Sequence, residues 1–310
     1  NKINFLHKNA FIKLRNLENL NLEQNSLQII NSEQFILTNK LDFLDLNHNN
    51  IYKIEENAFR GLEESLIILS LIKNNLNSIK SYYFYNLTRL EFLKLSENKI
   101  SSIEAGSFQT LHKLNNLILN DNCLFKIESD LFSNQFRLES LDLSRHLLKK
   151  LMPNLFLNLT QLRDLNLNSN KLYSIGYELF QKNISISLTS IDLSNNLLND
   201  SSSFHLLLNL KQLNLRMNRL RKIQNDDLST SEQLEFIDLS DNYQLEEVYL
   251  DKKSIQSIFL NNNRKLKKIS LKWSKIVNFE VRNSSSSVLN QIDFSNLIRL
   301  EHLDLNKNNI

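Results

Sequence analysis

The chain has 310 residues and a formal net charge of +3, and it carries 63 Leu and 47 Asn against only 3 Gly, 1 Pro and 1 Cys. So few glycines exclude a phosphate-cradling loop or a dinucleotide fingerprint, and a lone Cys excludes a disulfide scaffold or a Cys-based zinc site within these residues. No apolar run reaches the roughly 18 residues of a membrane span, and the interleaved charges give no broad basic surface for nucleic acid.

In chain order, the pattern L-x-x-L-x-L-x-x-N-x-L begins at Leu17, Leu41, Leu66, Leu90, Leu114, Leu138, Leu162, Leu188, Leu210, Leu234, Ile255, Ile276 and Leu300. Thirteen starts over 283 residues give a mean period of 23.6. L-x-L alternation places two Leu on one face of a short strand and the intervening residues on the other. No single copy can bury that face alone, so the copies must stack, with their strands parallel and neighbouring coils supplying the core.

Two further series support the stacking. Thirteen residues after most starts stands an aliphatic: Ile30, Ile54, Ile79, Ile103, Ile127, Leu151, Ile175 and Ile223. Eighteen residues after most starts stands a Phe: Phe35, Phe59, Phe84, Phe108, Phe132, Phe156, Phe180 and Phe294. Both would fill the coil from its returning side. Eight residues after the start stands Asn, from Asn25 to Asn308, except where His146 and Ser284 replace it. An Asn amide has donors and an acceptor for backbone groups of its own and the adjacent coil. His146 is expected to donate the same ladder bond. With Gly and Pro scarce, Asn is also expected to make the left-handed turns.

The irregular stretches follow. The copy from Leu188 has Ser201 in place of the aliphatic, and Asn199–Ser203 is expected to be a loose outer loop. The copies from Leu234 and Ile255 have 21 residues and lack the Phe. Their second alternating segments, Leu245–Leu250 and Leu266–Leu271, are expected to form neighbouring outer strands, with Glu246 beside Lys267 and Glu247 beside Lys268. The serine run from Asn283 to Ser287 breaks the pattern and is expected to be a mobile loop. Partial copies at both ends, without Cys-rich caps, suggest an interior fragment forming one solenoid over residues 1–310.

These motifs resemble the leucine-rich repeat family over the whole chain, in its "typical" 24-residue extracellular class. The uninterrupted array looks like the ectodomains of Toll-type receptors or of chaoptin-like adhesion proteins. The resemblance implies an α/β solenoid: a right-handed coil with a parallel concave β-sheet and an irregular or short-helical convex side. It further implies a non-enzymatic protein-binding ectodomain for cell-surface recognition or adhesion, on the extracellular face of the plasma membrane or secreted, anchored only by segments outside these residues. Alternatives are a Toll-like signalling receptor and an intracellular repeat scaffold; the Phe series argues against the scaffold. Implied partners are a protein ligand on the concave face and homophilic or receptor-dimer contacts, with no cofactor.

In such a fold, residues two, four and six after each start face outward from the sheet. Most here are small or polar. Phe43, Ile68, Ile72, Phe92 and Ile118, with Lys94 beside them, are expected to form an apolar ligand-binding patch. Phe236 and Phe259 form a smaller second patch. Asp142, Asp164 and Asp192 are expected to form an acidic stripe that steers a basic partner. Sequons at Asn86, Asn158, Asn183, Asn199 and Asn283 are candidate N-glycosylation sites, although so much Asn and Ser generates sequons by composition alone. The His residues show no metal-ligand spacing, and Cys123 has no partner.

Overall fold

A computed structural model describes residues 2–181, 184–250, 252–271, 275–284 and 297–308. Asn183, Phe294 and the serine run from Ser285 lie outside the described residues. The chain forms two compact units, Asn1–Leu148 with Leu155–Leu162, and Lys149–Asn154 with Arg163–Ile310. Both are parallel-sheet solenoids, as the repeat predicts.

In the first unit the L-x-L segments form parallel strands at Asn19–Asn21, Phe43–Asp45, Ile68–Ser70, Phe92–Lys94, Asn116–Ile118 and Ser140–Asp142. They pair in unbroken register, Leu20 with Leu44, Leu69, Leu93, Leu117 and Leu141 in turn. Leu44, Leu69, Leu93 and Leu117 have no exposed surface. Two short outer pairs, Ile29–Ile30 with Lys53–Ile54 and Ser78–Ile79 with Ser102–Ile103, use the aliphatic series.

The phenylalanines form a continuous column in this unit. Phe11, Phe35, Phe59, Phe84, Phe108, Phe132 and Phe156 follow one another with ring centroids 5.7–6.5 Å apart and planes within 22° of parallel. Offset stacking at this spacing adds to the stabilisation from simple burial. One glycine serves close approach: at Gly61 the backbone has φ +96°, and a Cβ would lie 2.7 Å from the Ile36 carbonyl oxygen.

The second unit has parallel strands at Asp164–Asn166, Ser190–Asp192, Gln212–Asn214, Phe236–Asp238, Ser257–Phe259, Asn278–Glu280 and His302–Asp304, again in register. Its outer side differs. Short 3-10 turns span Tyr177–Phe180, Ser202–Leu206 and Asn225–Leu228. The two 21-residue copies instead carry outer strands at Glu247–Leu250 and Lys268–Leu271, which join Lys222–Ile223 in one parallel sheet. Glu247 opposes Lys268, and Lys267 donates to the Glu246 carboxylate at 2.8 Å, as the 21-residue register predicts. The ammonium of Lys268 lies 5.0 Å from the Tyr249 ring centroid.

The asparagine ladder bridges the coils. Asn98 donates from Nδ2 to the carbonyls of Leu71 and Leu95, and its Oδ1 accepts from the Leu76 amide. Asn122 repeats the set with Leu95, Leu119 and Ile100. These bonds satisfy backbone groups left where the chain exits the sheet.

Three expectations are corrected. First, Asn makes some of the left-handed turns, at Asn57, Asn86, Asn154, Asn195, Asn262 and Asn283, but not all of them. In every copy the residue one place before the ladder residue is left-handed whatever its type: Gln24, His48, Lys73, Glu97, Asp121, Arg145, Ser169, Asn195, Met217, Asp241, Asn262, Asn283 and Lys307, with φ of 48–62°. In most copies its amide bonds the next coil, as in Lys73 to the Ser96 carbonyl at 3.0 Å, so the surrounding ladder imposes the conformation on whatever residue is there. Second, Asn199–Ser203 is no loose loop. Ser201 and Ser203 are buried, Ser201 donates to Asp227 at 2.6 Å, and Ser203 donates to the Ile175 carbonyl. Phe204 follows on the 3-10 turn, fully buried, with its ring centroid 6.2 Å from Phe180. Third, His146 joins the ladder as an acceptor. Its Nδ1 takes the Leu124 amide proton at 3.2 Å, while its buried Nε2 makes no hydrogen bond.

Candidate ligand-binding face

Strand alternation puts the residues two, four and six places after each start on the face of the sheet away from the core. Along the row at the second place, Phe43 opposes Ile68 and Ile68 opposes Phe92. All three are half-buried, because neighbouring strands are only about 4.8 Å apart and large side chains shield one another. Asn19 bounds the row on one side and Asn116 on the other. The predicted patch therefore has a contiguous centre of three residues. Ile118 lies in the next row between Lys94 and Asp142. Ile72 lies two places beyond Ser70 on the same strand side, among polar neighbours.

The acidic residues divide differently. Asp142 and Asp192 occupy the fourth place, whereas Asp164 occupies the second, opposite Ser190. Within the second unit Asp164 and Asp192 therefore fall in different rows. At the fourth place the side chain has a structural task. Asp142 accepts the Ser144 amide at 2.8 Å, and Asp192 accepts the Ser194 amide at 2.8 Å and the Ser194 hydroxyl at 2.6 Å. Asn21, Asp45, Asn166, Asn214 and Asp238 accept the amide two residues on in the same way. These Asx turns bend the chain off their strands towards the left-handed residue that follows.

The second aromatic patch is in the second unit. The rings of Phe236 and Phe259 lie 5.6 Å apart and inclined by 46°. They form one wall of an open recess of about 910 Å³ that also takes in Arg216, Asp238, Glu280 and Arg282. Repeat spacing singled out the two rings; the recess depends on which side chains adjacent coils bring together.

Among the sequons, Asn86 and Asn199 are exposed. Asn158 is half-buried and donates to the Ser133 carbonyl at 2.8 Å. Asn283 borders the recess and donates to Asn262 at 2.9 Å. Cys123 is an exposed free thiol. Among the described residues no group of three His, Cys, Asp or Glu side chains is placed to hold a metal ion, and no helix is long and apolar enough to cross a membrane.

The repeat region described as "BspA type Leucine rich repeat region (6 copies)" matches residues 4–125, 77–199 and 125–250, well over half of the chain. The chain belongs to the leucine-rich repeat family. No curated protein matches it. This leucine-rich repeat chain has the fold of the Drosophila Toll in its complex with Spatzle, at 22% identity and a TM-score of 0.78, covering 90% of this chain and 39% of that one. It has equally the fold of a Leptospira interrogans leucine-rich repeat protein, at 23% identity and a TM-score of 0.73, covering 97% and 81%. A chain in the octameric complex of Latrophilin 3, Unc5D and FLRT2 is 31% identical, with a TM-score of 0.58, over 66% of this chain and 63% of that one. The leucine-rich repeat chain thus spans about two fifths of the Toll chain and less than two thirds of the one in the octameric complex.

Proposed function

We propose that residues 1–310 form one leucine-rich repeat solenoid that serves as a protein-binding ectodomain, secreted or at the cell surface, with no catalytic role of its own. The observation that carries the reading is the row Phe43–Ile68–Phe92 on the solvent side of the sheet. Three large apolar side chains stand in register on the strand face opposite the leucine core, and burying them against a partner would remove apolar surface from water. Lys94 and Asp142 flank Ile118 in the adjoining row and supply charges of both signs at the rim. Structural neighbours support the reading through their partners: Toll is in complex with Spatzle, and FLRT2 is assembled with Unc5D and Latrophilin 3. On this reading Asn86 and Asn199, exposed on the outer return and away from the sheet face, are modified, and so are Asn158 and the remaining sequons at Asn183 and Asn283.

The test uses the secreted chain against an array of purified extracellular proteins. Any partner captured by the wild type should be lost with Phe43→Ser plus Phe92→Ser, while the melting temperature stays within a few degrees, as about 0.5 kcal/mol at a surface site implies. Retained capture would move the binding surface off this row.

A further inference from the structure

The recess around Phe236 and Phe259 carries a second reading. Asp238 opposes Phe259 on the next strand and shares its own strand face with Phe236, two residues earlier. One carboxylate thus has aromatic neighbours along the strand and across it. Its Oδ1 accepts the Ser240 amide at 2.8 Å. The other charges around the recess are already matched. Arg216 pairs with Asp241 at 2.8 Å, and Asn262 donates to the same Asp241 at 2.7 Å. Arg282 pairs with Glu280 at 3.2 Å and with Asp304 at 2.9 Å, and Asn261 donates to Glu280 at 2.8 Å. Lys307 stands exposed at the far rim, three coils from Asp238, or roughly 14 Å at the spacing of parallel strands. Among the described residues lining the recess, Asp238 is the carboxylate without an ion pair.

We infer that this recess is a binding site for a guanidinium group, presented as an exposed arginine of a protein partner. A planar cation can lie against the two inclined rings, drawn by their electron-rich faces. From there its paired N–H groups reach the free side of the Asp238 carboxylate. An apolar guest would fit the rings but would strip water from an unmatched charge. A lysine would match the charge but not the planar stacking surface. Burial already pushes the Asp238 carboxyl above its ordinary range, and the hydrogen bonds from Ser240 and the Arg216 charge only partly offset this. An incoming guanidinium would favour the charged form. The site rests on the protein-binding reading only for where the arginine comes from. It lies in a different unit from the Phe43–Phe92 row.

The experiment titrates N-acetyl-arginine amide, and its neutral isostere N-acetyl-citrulline amide, into the chain labelled at phenylalanine rings. The arginine probe should shift the resonances of Phe236 and Phe259 and bind at least about tenfold tighter than the citrulline probe, the margin expected when a charge-assisted pair is lost. Asp238→Asn should erase that margin while the fold is kept, because Asn21, Asn166 and Asn214 make the same turn bond at this place in other coils. Phe259→Leu should weaken both probes. Phe43→Ser plus Phe92→Ser should leave the titration unchanged, which separates this site from the one proposed above. Absence of ring shifts with the arginine probe, equal affinity for the two probes, or an unaltered margin in Asp238→Asn would each overturn the assignment.

Discussion

The Leu124 amide donates to His146 Nδ1 at 3.2 Å, at a place where the neighbouring Asn122 offers its carboxamide oxygen to the Ile100 amide. The substitution keeps the acceptor and changes the chemistry of the other side of the ring. Asn122 donates from Nδ2 to the Leu95 carbonyl of the preceding coil and to the Leu119 carbonyl of its own. The buried imidazole Nε2 makes no hydrogen bond. Burial dominates, and it pushes the His146 pKa from its ordinary 6.5 down to about 4, against smaller opposing effects of the Leu119 carbonyl and Asp121. The sign follows directly. The folded chain prefers the neutral ring, and the unfolded chain takes a proton first as pH falls. Stability is therefore full above pH 6.5 and declines as pH drops towards 4, below which this residue adds no further loss. A shift of this size corresponds to roughly 3 kcal/mol across the window. His146→Asn restores the ordinary ladder residue. Its denaturation midpoint should exceed that of the wild type by more at pH 4.5 than at pH 7.5. An equal gain at both would mean that His146 is not held neutral.

A second prediction tests the two faces of one strand. Leu117 has no exposed surface, whereas its neighbour Asn116 faces outward between Phe92 and Ser140 and leaves its carboxamide oxygen without a hydrogen bond. Leu117→Ala should cost about 2–5 kcal/mol by opening a cavity between coils. Asn116→Ala removes an unpartnered polar atom and should cost under about 0.5 kcal/mol. Urea melts of both variants check the pair, and comparable losses would reverse the assigned faces.

Much of this architecture was legible because the repeat encodes it locally. The inward leucines, the ladder Asn and the Phe column each recur at one offset, and each forms contacts with its counterpart one coil away. Phe204 does not stand eighteen residues after Leu188, because the interval from Leu162 to Leu188 is long, at 26 residues, and the one from Leu188 to Leu210 short, at 22. Counted backward from Leu210, Phe204 stands six residues before the next start, as Phe108 stands before Leu114 and Phe132 before Leu138. The left-handed position was hidden for another reason. Backbone bonds to the next coil impose it, so residues as unlike as Met217, Lys73 and Asp241 occupy it and no residue type marks it. The acidic residues at the fourth place looked like a partner-steering stripe, yet they share that place with Asn21, Asn166 and Asn214 and make the same turn bond. That exchange of Asp for Asn was present in the sequence and points to hydrogen bonding as the common requirement. The Asp238 recess could not be read there at all, because it depends on which charges are already paired across coils.

The last prediction concerns the register of the outer strands. Lys267 meets Glu246 at 2.8 Å, but both side chains are open to solvent, so their contact reports alignment far better than it stabilises the fold. Glu247 and Lys268 oppose each other as backbone neighbours, with Val248 and Ile269 beside them facing the core. In-register neighbours lie roughly 4.8 Å apart, within the Cα separation of about 4.4–6.8 Å that a disulfide accepts. A one-residue slip would turn Val248 outward and is excluded by burial. A two-residue slip would keep every face and place Glu247 beside Ser270, so it is the alternative that needs a test. Cys123 is the only cysteine and can be replaced by Ser. In that background Glu247→Cys with Lys268→Cys should close a disulfide under mild oxidation, read as a loss of two free thiols by mass. Glu247→Cys with Ser270→Cys should remain reduced. The reverse pattern would shift the 21-residue parsing by two and separate Glu246 from Lys267. Closure of both pairs would mean that these short strands slide, and that the charge pairs record one alignment among several.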